Sequence, residues 1–181
     1  MSVVIGLLRG VNLGPHRRMK MEDLRAVCSS CKLQDVQTYV QSGNLVFRTG
    51  DTDLPSLAKR LEGAIERKFG FQSDVVLRTA EEWRDAMARN PFAGRAGIEP
   101  AKLHVTFLSS HPAGSLEAIK AGPEEMRLDG RELYIYFPDG AGRSKLTQPV
   151  FDRALKVSGT ARNWNTVAQL LAIAEELESV R

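Results

Sequence analysis

The sequence has few cysteines and no long hydrophobic run, and these two shortages already narrow the class of protein. Only two cysteines occur among 181 residues, which excludes a disulfide framework. No apolar stretch approaches the roughly 20 residues that a membrane-spanning helix needs. The N-terminus also lacks the basic segment of a secretory signal peptide. We therefore expect a cytoplasmic protein that does not associate with membranes.

The two cysteines, Cys28 and Cys31, have a Cys-x-x-Cys spacing, which raises the question of a redox or metal site. In redox sites this motif begins a helix, where the helix dipole lowers the thiol pKa. Here it lies at the end of a helical pattern, where the dipole acts in the opposite direction. A zinc site needs about four ligands, and the histidines show no ligand spacing. We therefore predict structural or incidental thiols, no metal and no cofactor.

Catalytic motifs are missing as well. The sequence contains no nucleophile elbow and no His-Glu-x-x-His segment. No Ser, His and Asp can be grouped from their positions in the chain, so no residue is assigned a catalytic role. Catalysis itself stays open, because active sites assemble in three dimensions.

Acidic residues are absent from the first 21 residues, although the net charge of the whole chain is only +3. This stretch holds Arg9, Arg17, Arg18 and Lys20. A solvated basic loop is the common explanation of such a stretch. The alternative is a local positive potential that attracts an anion.

Hydrophobic periodicity and turn residues predict a similar order of elements twice along the chain. In the first half we predict strands at 3–8, 36–41, 44–48 and 75–78, and helices at 21–30, 54–69 and from Thr79, which pairs with Glu82 as a capping box. In the second half we predict strands at 103–108, 126–128, 132–137 and near Thr160, and helices at 114–121, 146–157 and 163–177.

Each half thus has the order β-α-β-β-α-β followed by a helix, which is the split β-α-β or ferredoxin-like arrangement. We predict an α+β protein with antiparallel sheets, made of a first half (1–91), a linker (92–101) and a second half (102–181). The segments Thr79–Trp83 and Thr160–Trp164 share three of five residues, which indicates an internal duplication. We expect Trp83 and Trp164 to pack into the core.

Glycine-containing basic loops before helices are generic anion sites. The first and third strands of each half are taken as parallel neighbours, so the loops that follow them are expected at one end of the sheet. The candidate residues in these loops are Arg9, Gly10, Asn12 and Lys20 in the first half and Arg143, Ser144 and Lys145 in the second. Neither loop has the dinucleotide or P-loop motif, and turn chemistry is the alternative explanation.

Two further groups of polar residues complete the candidate set. Gln41, Ser42 and Asn44 lie at the first hairpin, which we expect at the opposite end of the sheet. Arg162, Asn163 and Asn165 begin the last helix, where either asparagine is a candidate cap. A conventional RNA-recognition module is disfavoured, because it needs exposed aromatic residues on its first and third strands and the first strand has none.

Four motifs in order resemble a known family. They are Leu7–Asn12, Lys20–Arg25, Thr38–Asn44 and Thr160–Thr166. They are similar to successive motifs of the bacterial domain-of-unknown-function family 1697, and the resemblance runs from Val4 to about Leu171. It implies an α+β protein of split units and no established activity, cofactor or catalytic residue. The two cysteines and the basic segment 15–18 depart from the family pattern.

Three functions remain as hypotheses. The first is a binding protein for an anionic ligand, either a phosphate-bearing small molecule or a nucleic acid, and the basic glycine loops favour it. The second is an enzyme acting on a small phosphorylated or acyl substrate in a cleft between the halves. The third is a non-catalytic homodimeric interaction protein.

Overall fold

A computed structural model describes residues 1–180, which form eight β-strands, five α-helices and two short 3-10 helices. The strands are β1 (Ser2–Leu8), β2 (Gln34–Tyr39), β3 (Asn44–Thr49), β4 (Val75–Thr79), β5 (Leu103–Leu108), β6 (Glu125–Asp129), β7 (Glu132–Tyr136) and β8 (Gly159–Asn163). The α-helices are α1 (Met21–Ser30), α2 (Leu54–Phe69), α3 (Ala80–Ala88), α4 (Gln148–Leu155) and α5 (Trp164–Ser179). The 3-10 helices are Pro100–Lys102 and Ala141–Arg143. Within residues 1–180, no helix combines the length and the apolar character that crossing a membrane requires.

The chain divides into two units, each with its own four-stranded antiparallel sheet. Of the described residues, the first unit comprises Met1–Arg84 and 170–180, and the second comprises Asp85–Gln169. The strand orders are β2-β3-β1-β4 and β6-β7-β5-β8. Both orders are those that a split β-α-β connection produces. The predicted α+β class with antiparallel sheets is confirmed.

The expected parallel pairing of the first and third strands is wrong in both units. β1 pairs antiparallel with β3, with Leu7 opposite Asn44 and Ser2 opposite Thr49. β5 pairs antiparallel with β7 in the same way. The reason is topological: β2 returns after a crossover parallel to β1, and the tight hairpin then reverses β3. The end of β1 therefore lies beside the β2–β3 hairpin, not away from it.

The helix predicted at 114–121 does not form. The backbone N–H groups of Ala113 and Gly114 donate to the carbonyl of Leu155 at the end of α4, which ties the start of this segment to α4. A side chain at Gly114 would lie 1.9 Å from the carbonyl oxygen of Ala154. Leu116 and Ile119, whose spacing indicated a helix, pack against the second unit's core instead. The second unit thus lacks the counterpart of α1.

The core of the first unit lies between its sheet and the helices α1 and α2. Leu24 of α1, together with Leu57 and Leu61 of α2, is fully buried there. On the face of the sheet opposite these helices, Ile5 and Val46 are buried as well. Burying each such side chain contributes about 2 kcal/mol. Neither face of the strands β1, β3 and β4 is therefore open as a ligand platform.

The segment predicted to link the halves packs within the second unit. The ring of Phe92 lies 6.0 Å from that of Tyr136. Arg95 donates two hydrogen bonds to Glu125, and the Glu99 backbone N–H donates to the Tyr136 hydroxyl. Residues 92–101 are consequently held against β6 and β7.

Helix starts follow the capping signals in the sequence. Thr79 and Glu82 form the predicted reciprocal capping box of α3, and Asn163 accepts the backbone N–H of Thr166 at the start of α5. The strands before these two helices, β4 and β8, end at Thr79 and Asn163. When the two segments are aligned by these strand ends, Thr79 corresponds to Asn163 and not to Thr160, with which the sequence comparison had aligned it. Trp83 is fully buried as expected, whereas Trp164 is only half-buried.

Candidate functional site

Three loops meet at one end of the first unit's sheet. The β1–α1 loop (9–20), the β2–β3 tip (40–43) and the α2–β4 connection (70–74) lie there, because β3 and β4 both run antiparallel to β1. The backbone N–H of Leu8 donates to the carbonyl of Gly43, and that of Arg9 donates to the carbonyl of Asp74. The two groups of candidate residues that we expected at opposite ends thus share one end.

Asn12 holds the β1–α1 loop to the hairpin. Its Nδ2 donates to the carbonyl of Met19 at 2.9 Å and to that of Gln41 at 2.8 Å. Its Oδ1 accepts the Met19 backbone N–H at 2.8 Å. The amide thus uses both donor hydrogens and accepts in turn. Asn12 therefore positions the site and does not present a ligand-binding group.

Gly43 is required where the hairpin crosses the end of β1. Its φ is +77°, and an added Cβ would lie 2.7 Å from the Leu8 Cβ and 2.9 Å from a Val11 methyl carbon. Asn44, the next residue, is fully buried and donates to the Tyr39 carbonyl. Gly43 and Asn44 therefore belong to the framework of the tip, while Gln41 and Ser42 are exposed.

Arg17 also helps to hold the loops of the site in place. Its guanidinium donates to the carbonyls of Gly10 at 2.7 Å and Gln72 at 2.6 Å. It also lies 4.8 Å from the centre of the Phe71 ring. This arginine ties the β1–α1 loop to the α2–β4 connection and remains exposed at the surface.

A cleft of about 660 Å³ opens where these loops meet the start of α1. Its lining comprises Asn12, Gly14, Arg18, Met19, Lys20, Asp23, Gln41 and Phe69. Lys20 occupies the N-cap of α1 and makes no side-chain cap. Within the described chain, neither Arg18 nor Lys20 has a carboxylate at ion-pair distance. The cleft thus carries two unpaired cations against the single carboxylate of Asp23.

The candidate residues of the second unit lie at one end of its sheet. Residues 137–147 follow β7 at the end where β5 begins, because the Phe137 N–H donates to the Lys102 carbonyl. Asn163 of β8 is paired with His104 at that same end. Arg143, Ser144 and Lys145 line a cleft of about 530 Å³ there.

In this second cleft a hydroxyl and a carboxylate are already hydrogen-bonded to each other. The Ser144 hydroxyl donates to Glu124 at 2.6 Å and so lowers the pKa of that carboxyl. Lys120 and Asp139 also line the cleft, so that three cations face two carboxylates, an excess of one cation as in the first cleft.

The candidate residues Arg162, Asn163 and Asn165 lie at the start of α5. Arg162 donates to the carbonyl of Ala161, and burial lowers its pKa to about 10. Asn163, one of the two candidate caps, accepts the Thr166 N–H and caps α5. Asn165 lies exposed on the first turn.

The two cysteines are free and lie at the end of α1. Burial, reinforced by the neighbouring Cys31 thiol, raises the pKa of Cys28 to about 12. A thiol with so high a pKa is a poor nucleophile.

Sequence reasoning missed several parts of the cleft. Phe69, Asp23 and Arg18 all line it, yet none was a candidate. The spacing of Phe69 on α2 identifies a core residue, and only the antiparallel sheet register brings the end of α2 to this place. The acid-free N-terminal stretch was the one signal that pointed to Arg18.

The fold and the cleft define the class: an α+β protein with two antiparallel sheets and an exposed basic cleft at the end of the first. The chain belongs to the family described as "Protein of unknown function (DUF1697)", whose model matches residues 1–134. The resemblance inferred from the motifs is thereby confirmed. The fourth motif, Thr160–Thr166, lies beyond the matched part.

The conserved bacterial protein SP0830 from Streptococcus pneumoniae has a similar structure, with a TM-score of 0.71 and 20% sequence identity. The similarity covers 97% of this chain and 99% of that one. At this identity the likeness shows the fold alone. No curated protein is significantly similar in sequence to the chain.

Proposed function

We propose that the cleft beside α1 binds a phosphate-bearing ligand. The observation that carries this proposal is that Arg18 and Lys20 line one cleft without a carboxylate partner among the described residues. Unpaired cations in a concave site attract anions, and low-dielectric walls strengthen the local potential. The exposed Gln41 at the facing hairpin adds neutral hydrogen-bonding capacity.

The framework of the site also supports binding. Asn12, Gly43 and Arg17 hold the loops through hydrogen bonds and close packing. Val40, a β-branched residue, has a φ of +51°, a conformation that costs such a residue free energy and recurs at functional sites. A preorganised site loses less entropy when its ligand binds.

The test is equilibrium binding of a labelled single-stranded oligonucleotide and of ATP. Wild-type protein is measured at about 50 mM and about 200 mM salt, where phosphate contacts differ most in strength. We expect oligonucleotide binding that weakens with salt. The double variant R18Q/K20Q should bind more weakly, with a salt slope smaller by about 1.4 for two lost contacts to a single strand.

The matched control is R127Q/R153Q, which removes two exposed cations of the second unit. It should bind like the wild type. Failure of the wild type to bind either probe at low salt would contradict the proposed function, as would equal losses in the two double variants.

We further propose that the two units are products of an internal duplication, joined by residues 92–101. Equal strand orders support this idea. So do Arg78 and Arg162, each of which precedes a helix-capping residue and donates to the carbonyl of the residue before it. In this register the two halves of family members should align better than shuffled sequences, and a score no better than shuffled would reject the duplication.

A further inference from the structure

We infer that the phosphate-bearing ligand of the first unit's cleft is a single-stranded nucleic acid, whose bases stack on Phe69 and on the neighbouring Arg17–Phe71 pair. This inference rests on the proposed function and names the ligand of the same site. It differs from sheet-face recognition, because both faces of β1 and β3, the strands such recognition would use, are buried.

Two aromatic rings lie side by side at the cleft. α2 ends at Phe69, and Gly70 then takes a left-handed φ of 79°, which reverses the chain and brings Phe71 next to Phe69. The ring centroids are 6.1 Å apart, with planes inclined at 37°. Both rings pack against the core and stay partly exposed. Phe69 lines the cleft itself.

The guanidinium of Arg17 extends the aromatic surface. It covers the Phe71 ring at 4.8 Å from the centroid and is held in place by the carbonyls of Gly10 and Gln72. A planar guanidinium fixed in this way is itself a stacking surface for a nucleobase. The end of the sheet thus offers two adjacent surfaces for bases, and a single nucleotide needs only one.

Two cations lie at the cleft that Phe69 lines. They are Arg18 and Lys20, which line the same cleft. Proteins that bind single strands combine cations along the backbone path with aromatic side chains under the bases. Inorganic phosphate chains and acidic peptides would use the cations alone.

Two exposed apolar side chains add to the same surface. Leu13 is 84% exposed and Val40 is 51% exposed, and each is next in sequence to residues that line the cleft. Apolar groups beside cations suit nucleobases and sugars, and they add nothing to the binding of a bare phosphate chain.

The experiment compares a labelled single-stranded oligonucleotide with inorganic polyphosphate, which has phosphates and no bases. Phe69→Leu keeps an apolar side chain against the core and removes the ring. We expect this variant to bind the oligonucleotide at least about fivefold more weakly, as the loss of one stacked base predicts, while its affinity for polyphosphate is unchanged. Phe92→Leu removes another phenylalanine that contacts an arginine and should not change either affinity.

Circular dichroism of each variant verifies that it is folded. If Phe69→Leu proves unfolded, Phe69→Tyr replaces it and should keep the oligonucleotide affinity, whereas its loss would count against stacking. Equal binding of oligonucleotide and polyphosphate by the wild type, insensitive to Phe69, overturns this inference and leaves the proposed function intact. Binding of polyglutamate as tight as that of the oligonucleotide overturns it too. Binding of no probe at all overturns both.

Discussion

At the scale of single residues, Gly43 shows how one position combines two requirements. Gly43→Ala would place a methyl group against Leu8 and Val11 and also force alanine into a left-handed φ. We expect it to lower the free energy of unfolding by about 2 kcal/mol or more. Urea denaturation followed by circular dichroism measures this loss.

Gly130, at the tip of the other hairpin, provides the matched control. It also has a positive φ, but no atom lies within 4 Å of an added Cβ. Gly130→Ala should therefore cost only the backbone term, about 1 kcal/mol. Equal losses in the two variants would mean that close packing at Gly43 contributes nothing.

Cys28 is the residue on which a redox role would depend. Because its pKa is raised to about 12, almost none of it is thiolate near neutral pH. We expect iodoacetamide at about pH 8 to modify Cys28 only after denaturation. Mass spectrometry of the alkylated peptides measures this, with the half-exposed Cys31 as the internal comparison. Rapid modification of native Cys28 would revive the redox hypothesis.

His104 makes the stability depend on pH. Its ring is partly buried and lies edge-on to Phe137 at 5.1 Å. Burial lowers its pKa below the ordinary 6.5, although a hydrogen bond with the backbone of Ala101 opposes the shift. The unfolded chain therefore takes up a proton at a higher pH than the folded protein does. Stability should fall as the pH decreases below about 6.5.

His104→Gln tests this dependence. The free energy of unfolding of the variant should vary less with pH between about 5 and 6.5 than that of the wild type. His111→Gln, at an exposed position, is the control and should keep the wild-type slope. An unchanged slope in His104→Gln would show that other groups cause the pH dependence.

At the scale of elements, one arginine joins the end of α3 to the β6–β7 hairpin. Arg89 forms ion pairs with Asp85 at 2.9 Å, with Asp129 at 3.0 Å and with the buried Glu132 at 2.5 Å. Removing the arginine leaves a carboxylate buried without this cation. We expect Arg89→Met to lower the free energy of unfolding by about 2 kcal/mol.

A double-mutant cycle, measured by thermal and urea unfolding, tests whether Arg89 and Glu132 stabilise the protein as a pair. Glu132→Gln introduced together with Arg89→Met should recover most of the loss, because no buried charge is then left. Arg95→Met breaks an exposed pair with Glu125 and should change stability little. A loss in Arg95→Met as large as that in Arg89→Met would mean that burial does not set the cost.

Most helices and strands could be predicted from the sequence, whereas the elements against which each of them packs could not. α2 begins and ends at the predicted residues because Asp53 and Gly70 act as local caps. The segment 114–121 is not helical: its start is held against the end of α4, about 40 residues later in the chain, and Leu116 and Ile119 pack against the second unit's core. Local signals therefore determine element bounds only where no distant element holds the same segment in another conformation.

At the scale of the whole molecule, the direction of the strands determines which candidate residues lie together. The sequence motifs identified Arg9, Lys20 and Gln41 as functional candidates, but a wrong strand direction placed them at two ends. Antiparallel pairing of β1 and β3 unites them. In both clefts the cations lie beside carboxylates that were not among the candidates, Asp23 in the first and Glu124 and Asp139 in the second. Charges from distant parts of the chain offset each other only in the folded structure.

The distribution of charge, not its sum, should therefore control how the protein binds polyanions. The charge reversals R18E/K20E and R127E/R153E shift the net charge of +3 by the same amount. If net charge governed binding, both variants would elute from heparin at the same reduced salt concentration. Because local potential governs steering to a site, we expect R18E/K20E to elute much earlier than wild type and R127E/R153E to elute close to it. All four positions are exposed, so neither variant should lose much stability, and coincident elution of the two variants would contradict a localised site.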